Sequence, residues 1–218
     1  MINLFIGGKF MKPSSGLYSN DIALSDEADL QRAIDSAKKS VAPDTNEIRR
    51  NILEFADIFE KEKNNFIGEL KLLGTSKDDF DDALKSIYFY AGMVDKWKVL
   101  YITGSDYKFI SIKSPVIYNL KGNLSLTHIV SSVFRPLQAG ASVVIAVPPE
   151  WGKIANMLSL IFLNTDLPAG TVNILTGLKS ENKNIIEINF SEKVRCLPTY
   201  ESEKTFFHDI IITKKIQI

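Results

Sequence analysis

The rhythm of the second half of the chain constrains its fold most strongly. Short runs rich in valine and isoleucine, "PVIYNL", "SVVIAV", "TVNIL" and "IIEINF", alternate with helical stretches from about Leu124 to Leu137 and from about Trp151 to Asn164. Bare apolar strands of this length, separated by helices, predict a parallel α/β sheet covered on both faces. In such sheets ligands bind beyond the carboxyl ends of the strands. At 218 residues the chain accommodates one such domain, or a domain with an appendage.

The first half supplies the cover. "INLFIGGKFMKPSSG" carries Gly7-Gly8 between two apolar runs, which predicts a hairpin at a sheet edge. From Ser25 onward, Leu30, Ile34, Ala37 and Val41 share one helical face. Asp26 and Glu27 stand at its start, Lys38 and Lys39 near its end, and Pro43 stops it, an order that matches the helix dipole. A second helix places Ile48, Ile52, Phe55 and Phe59 inward. A third, capped by Ser76, uses Phe80, Leu84, Ile87, Ala91 and Val94. After Trp97, "KVLYITGSDYKFISI" is rich in β-branched and aromatic residues around "TGSD" and predicts a hairpin that projects from the body.

Composition narrows the function classes. Twenty-six basic residues balance 26 acidic ones, which removes the electrostatic footprint of a nucleic-acid binder. The lone Cys196 has no internal disulfide partner, and "MINLFIGGKF" turns to glycine and lysine before a signal-peptide core develops, so a reducing cytoplasm is expected. The most apolar helical stretch, "IANMLSLIFL", is interrupted by Asn156 and falls short of the roughly 20 residues that span a bilayer. His128 and His208, with one cysteine between them, make no metal-ligand spacing and read as structural or surface residues.

The order of these pieces resembles the N-terminal, coenzyme-binding half of the aldehyde dehydrogenase superfamily. "LFIGGKF…SSG", "DLQRAIDSAKKS" and "RRNILEFADIFEKEKNNFIGELKLLGTSK" are similar to the family's opening hairpin and the helices after it, and "DLPAGTVNILTG" is the sharpest match. The resemblance runs in order from about residue 3 to residue 177. It implies a Rossmann-like parallel sheet with flanking helices, a β-hairpin and C-terminal strand acting as an oligomerisation arm, and NAD or NADP as coenzyme. Residue by residue, Asn123 falls at the family's oxyanion-stabilising asparagine, with capping of the following helix or bonding within the loop as the plainer reading. Ala146 stands where a ribose-binding lysine is expected. Glu150 is the candidate ribose contact, or else a carboxylate at a helix start. In "NFSEKV", Phe190 and Ser191 align with the pyrophosphate loop, but Glu192 and Lys193 replace its glycine and serine.

The catalytic motifs of the family, a cysteine after glycine-glutamine and a glutamate in glutamate-leucine-glycine-glycine, do not occur in the sequence. Cys196, beside Arg195 in "VRCLPTY", has no such context and reads as an incidental cysteine. The expected organisation is a dinucleotide-binding domain over residues 1–200 with a projecting hairpin at 98–112, then a C-terminal oligomerisation strand over 205–218, where "TKKIQI" is loosely similar to the family's terminal strand. The functional expectation is a catalytically inactive assembly or regulatory subunit, a homo-oligomer or a hetero-oligomer with a full-length aldehyde dehydrogenase. The alternatives are a residual NAD(P)-binding sensor using Asn123, Glu150 and Ser191, a true dehydrogenase using Cys196, or a fragment of a larger protein.

Overall fold

The computed structural model describes residues 1–41, 44–96, 108–112, 114–180, 185–190 and 211–215. Strands β1 (Leu4–Ile6) and β2 (Lys9–Met11) pair antiparallel with Ile6 opposite Lys9. The two-residue turn between them needs positive φ at both positions, and Gly7 and Gly8 adopt 63° and 72°. A second hairpin, β3 (Tyr18–Ser19) and β4 (Ile22–Ala23), follows the same rule with Asn20 and Asp21 at 47° and 64°. Asn and Asp tolerate this region because their short side chains bond locally. Its strands are too short to show a period in the sequence.

The main sheet has the order β2-β1-β8-β7-β6-β9, with β6 (Val116–Gly122), β7 (Val143–Val147), β8 (Val172–Thr176) and β9 (Ile186–Phe190) parallel. The first hairpin joins antiparallel through Phe5 opposite Ile174 and forms one edge, as expected. All five residues of both β7 and β8 are buried, so neither strand alternates; this is the signature of a sheet packed on two faces. Helix α1 (Glu27–Lys39) covers one face, where Leu30, Ala33 and Ile34 meet Ile117, Val144 and Leu175. The other face carries α5 (Leu126–Leu137) and α6 (Gly152–Leu163), with α2 (Thr45–Lys61), α3 (Lys63–Leu72) and α4 (Asp78–Met93) packed beyond them.

Six phenylalanines knit that second layer. Phe59 stacks on Phe80 with centroids 4.4 Å apart, Phe66 lies 4.7 Å from Phe59, and Phe55 reaches Phe162 at 4.4 Å and Phe134 at 4.9 Å. Rings from α2, α3, α4, α5 and α6 thus form one contact chain. The backbone leaves the helix at Glu62, with ψ near 4°, which separates α2 from α3. Two local expectations change. Val41 is 75% exposed because α1 ends at Lys39 and the chain turns extended at Ser40, three residues before Pro43 in the sequence. Ser76 does accept the Asp78 N–H at 3.2 Å, while α4 itself starts one residue beyond Lys77.

A separate two-stranded sheet is built from β5 (Lys108–Ile112) and β10 (Ile211–Lys215), paired antiparallel from Ile112 with Ile211 to Lys108 with Lys215. The expected hairpin at 98–112 is therefore described only in its second strand, whose partner is the chain's final strand. The "TGSD" turn and residues 191–200 of the expected domain lie outside the described residues.

Asp29 fastens the segment after the first hairpin to α1. It is fully buried, accepts the Ser14 N–H at 2.9 Å and the Ser14 hydroxyl at 2.8 Å, closes a capping box with Asp26, and is paired with Arg32, which also donates to the Lys12 carbonyl. Burial pushes its carboxyl up, but Arg32, Ser14 and the Asp26 N–H together hold it below the ordinary value. Its stabilising contribution is complete above the unfolded-state value of about 4 and is lost as pH falls through the lower folded-state value. Asp29→Asn is expected to cost about 2 kcal/mol at neutral pH. In urea titrations from pH 7 to pH 3 the variant should lose less stability on acidification than the wild type; parallel acid limbs would refute this account.

Candidate functional site

The chain runs β6, β7, β8 in one direction across the sheet and then returns to place β9 on the other side of β6. The strand order therefore reverses between β6 and β9, and the carboxyl ends of these two strands define the crevice where a doubly wound sheet binds its ligand. Asn123 stands at this edge, exposed, in the bend that follows Lys121 and Gly122. Ser191 follows the last residue of β9 and lies outside the described residues, as do Glu192, Lys193, Cys196 and His208. Across the two strands, Lys121 pairs with Glu187 at 2.6 Å, and the Asn119 amide reaches the same carboxylate oxygen at 3.4 Å. Hydrogen bonding and charge from Lys121 hold the Glu187 carboxyl below its usual value. The cation at this edge is thus matched within the chain.

The amino end of α5 follows Asn123 at the same edge but is itself buried, and its N–H groups are already bonded. Ser125 is the cap: its hydroxyl accepts the His128 N–H at 3.1 Å, and His128 Nδ1 accepts the Ser125 N–H at 3.2 Å. The buried Asp79 of α4 accepts the Leu126 N–H at 2.6 Å, the Thr127 N–H at 3.2 Å and the Thr127 hydroxyl at 2.7 Å. These contacts correct the capping alternative for Asn123, because the helix begins two residues later and takes Ser125 instead. They also give His128 a structural place. Asp79 lies in the run "DDFDD", which reads as a solvated face, yet its spacing from Ala83 and Ser86 puts it on the buried face of α4.

Glu150 follows β7, the parallel neighbour of β6, and lines a pocket that Asn123 does not. It belongs to a single helical turn, Pro149–Trp151, that follows β7. It lines an open pocket of about 420 Å³ with Ile22, Leu72 and Leu73 as apolar wall and Glu69 and Lys153 as charged rim. Glu69 and Lys153 pair at 3.3 Å. Asn20, from the unforeseen second hairpin, joins the lining. Ala146, at the position of the expected lysine, is 1% exposed and packs in the α1 layer. Among the described residues no three His, Cys, Asp or Glu side chains gather to hold a metal, and no helix is long and apolar enough to cross a membrane.

The "DLPAGTVNILTG" segment is wholly structural in its contacts. Gly170 has φ of 88°, and a Cβ there would meet the Ser36 carbonyl at 2.5 Å. Buried Asn173 accepts the Gly7 N–H at 2.9 Å and donates to the Gly170 carbonyl at 2.8 Å. Thr176 donates to the Ala23 carbonyl at 2.5 Å, and its own carbonyl accepts from Ser25. The segment therefore buckles both hairpins and α1 to β8. Asn173→Ala and Asp79→Ala each leave buried backbone groups unbonded and are expected to cost about 2–3 kcal/mol in urea denaturation. Asn173→Gln, too long for the same pocket of partners, should not restore the loss.

Residues 8–196 match the model of the aldehyde dehydrogenase family. No curated protein matches the chain in sequence. The fold is similar to that of the aldehyde dehydrogenase KauB from Pseudomonas aeruginosa, with a TM-score of 0.68 and 15% identity over 82% of this chain and 41% of that one. It is also similar to an aldehyde dehydrogenase from Bacillus cereus solved as its NAD+ complex, with a TM-score of 0.65 and 18% identity over 81% of this chain and 41% of that one. For 1-pyrroline-5-carboxylate dehydrogenase from Thermus thermophilus the TM-score is 0.69 at 15% identity, over 81% of this chain and 39% of that one. The chain thus spans about two fifths of the length of the solved structures it matches.

Proposed function

This chain belongs to the aldehyde dehydrogenase family, and we propose that it serves as a non-catalytic assembly or regulatory subunit, pairing with itself or with a full-length relative. The observation that carries this reading is the β5–β10 ribbon. Its strands come from positions a hundred residues apart, and among the described residues it hydrogen-bonds to no strand of the main sheet. A two-stranded sheet is marginal in water and gains stability from a third strand or a covering surface. A second chain supplies both.

One further feature supports this role. At the described part of the crevice edge Lys121 is paired with Glu187, and the amino end of α5 is bonded to Asp79, which leaves both groups less open to a phosphate. The second reading, an NAD(P) sensor, draws on Glu150 at the mouth of its pocket, with Asn123 and Ser191 as further contacts. A lone cysteine fits a reducing cytoplasm for either role.

Native mass by light scattering, combined with melting curves in millimolar NAD or NADP, separates these readings. A dimer or larger species whose melting temperature does not move is expected, since a ligand selective for the folded state raises stability. A monomer stabilised by the nucleotide, with the shift abolished in Glu150→Ala, would transfer the assignment to the sensor. Aldehyde-dependent NADH formation lost in Cys196→Ala would overturn both.

A further inference from the structure

Helix α6 is apolar on almost every side. Ile154, Leu158, Ile161 and Phe162 are in the core, yet Leu160 and Leu163 remain 45% and 49% exposed. Its sequence, "GKIANMLSLIFL", carries one charge, Lys153. A surface helix ordinarily turns polar residues outward, whereas one apolar all round is covered. Beside the exposed row lies a pocket of about 180 Å³ between α6 and the α2–α3 junction, with Ile58, Phe66, Met157 and Ile161 among its walls. An exposed apolar row next to an apolar hollow marks an interaction surface.

We infer that a second copy of this chain covers this surface, packing its α6 antiparallel on the first about a two-fold axis; the inference names a contact for the assembly role and rests on that reading. Charge placement selects the occupant. Lys153 lies in the first turn of α6, and Asp166 lies just past its last turn with a side chain 79% exposed. An antiparallel dyad between Leu158 and Ser159 sets Met157 opposite Leu160 of the second copy. The same dyad sets Lys153 opposite Asn164, within a short reach of Asp166. A parallel arrangement would stack lysine on lysine. Because a two-fold contact repeats every interaction, both ends gain an opposite-charge pair and the helix dipoles oppose.

Shape agrees with charge. Leu160 lines the hollow together with Met157, and under that dyad Leu160 of each copy packs at the mouth of the hollow against Met157 of the other. The charges are available for exchange: Asp166 meets Arg50 at a loose 3.9 Å, and Lys153 meets Glu69 at 3.3 Å with more than half its side chain exposed.

The test is the native mass of the full chain by light scattering over a dilution series, for wild type, Leu160→Arg, Lys153→Asp, Asp166→Lys and the double charge swap. The wild type is expected to dimerise, and Leu160→Arg to weaken the dimer by about 30-fold or more while the circular dichroism melt stays near that of wild type. Each single swap should weaken it by roughly threefold to tenfold, and the double swap should restore it. Failure of the double swap to restore would overturn the antiparallel register. A dimer untouched by Leu160→Arg would overturn the α6 contact and leave the assembly role to the ribbon. A monomeric wild type would overturn the contact as well. The assembly role itself would fall if this monomer also failed to bind a purified full-length aldehyde dehydrogenase from the same cells.

Discussion

The buried carboxylate of Asp79 at the amino end of α5 is the interaction on which the rest of the arrangement depends. A helix start leaves N–H groups without partners, and this one is enclosed by protein, where such groups are costly to leave unbonded. Asp79 bonds two of them and Ser125 a third, so α4 is tied to α5 at one point by charge and hydrogen bonds. Around that tie the phenylalanine chain fills the space between five helices. The same carboxylate shapes the chemistry of the crevice edge, since the positive end of α5 is already answered from within. At the other lip Glu187 answers Lys121.

Kinship and chemistry reside in different residues of this chain. The segment that most resembles the family is a structural clasp: Gly170 allows close approach to α1, Asn173 bonds the Gly7 turn, and Thr176 holds β4. Such contacts can be met in only a few ways by any sequence with this topology, which accounts for a shared fold at identities of 15% to 18%. The positions that face the crevice are not constrained by packing in this way. There the chain carries an ion pair of its own, while Ala146, where the family resemblance calls for a lysine, is buried in the α1 layer instead.

Much of the fold was legible because its signals are local. Gly7-Gly8 specified a two-residue turn, the apolar runs of β6, β7 and β8 specified covered strands, and the spacing of Ile48, Ile52, Phe55 and Phe59 specified the inner face of α2, whereas β9, expected to be covered in the same way, lies at the sheet edge with Ile186 44% exposed. The β3–β4 hairpin was missed because two-residue strands carry no period, and its Asn20-Asp21 turn is a weaker cue than one containing glycine. Asn123 drew attention as a cap, but a good capping residue two positions downstream, Ser125, took the role because Asp79 sets where α5 begins. Of the candidate site residues, Asn123, singled out by the family resemblance, follows β6 at the edge where strand order reverses, whereas Glu150 lines a pocket with residues of α3 and the second hairpin.

By itself the sequence determined the kinds and order of most elements, the two-sided burial of the central strands and the family to which they belong. Periodicity and turn chemistry act over a few residues, so they survive reading along the chain. The tertiary structure alone decided the reversal of strand order at β6 and β9, the union of β5 with the final strand, and the partners of Asp79, Lys121 and Asn173. Each of these joins groups far apart in sequence, 47 residues for Asp79 and Leu126 and 166 for Asn173 and Gly7. Such pairings are selected by which faces can close together without stranding a buried charge or N–H group, a condition that exists only once the layers have met.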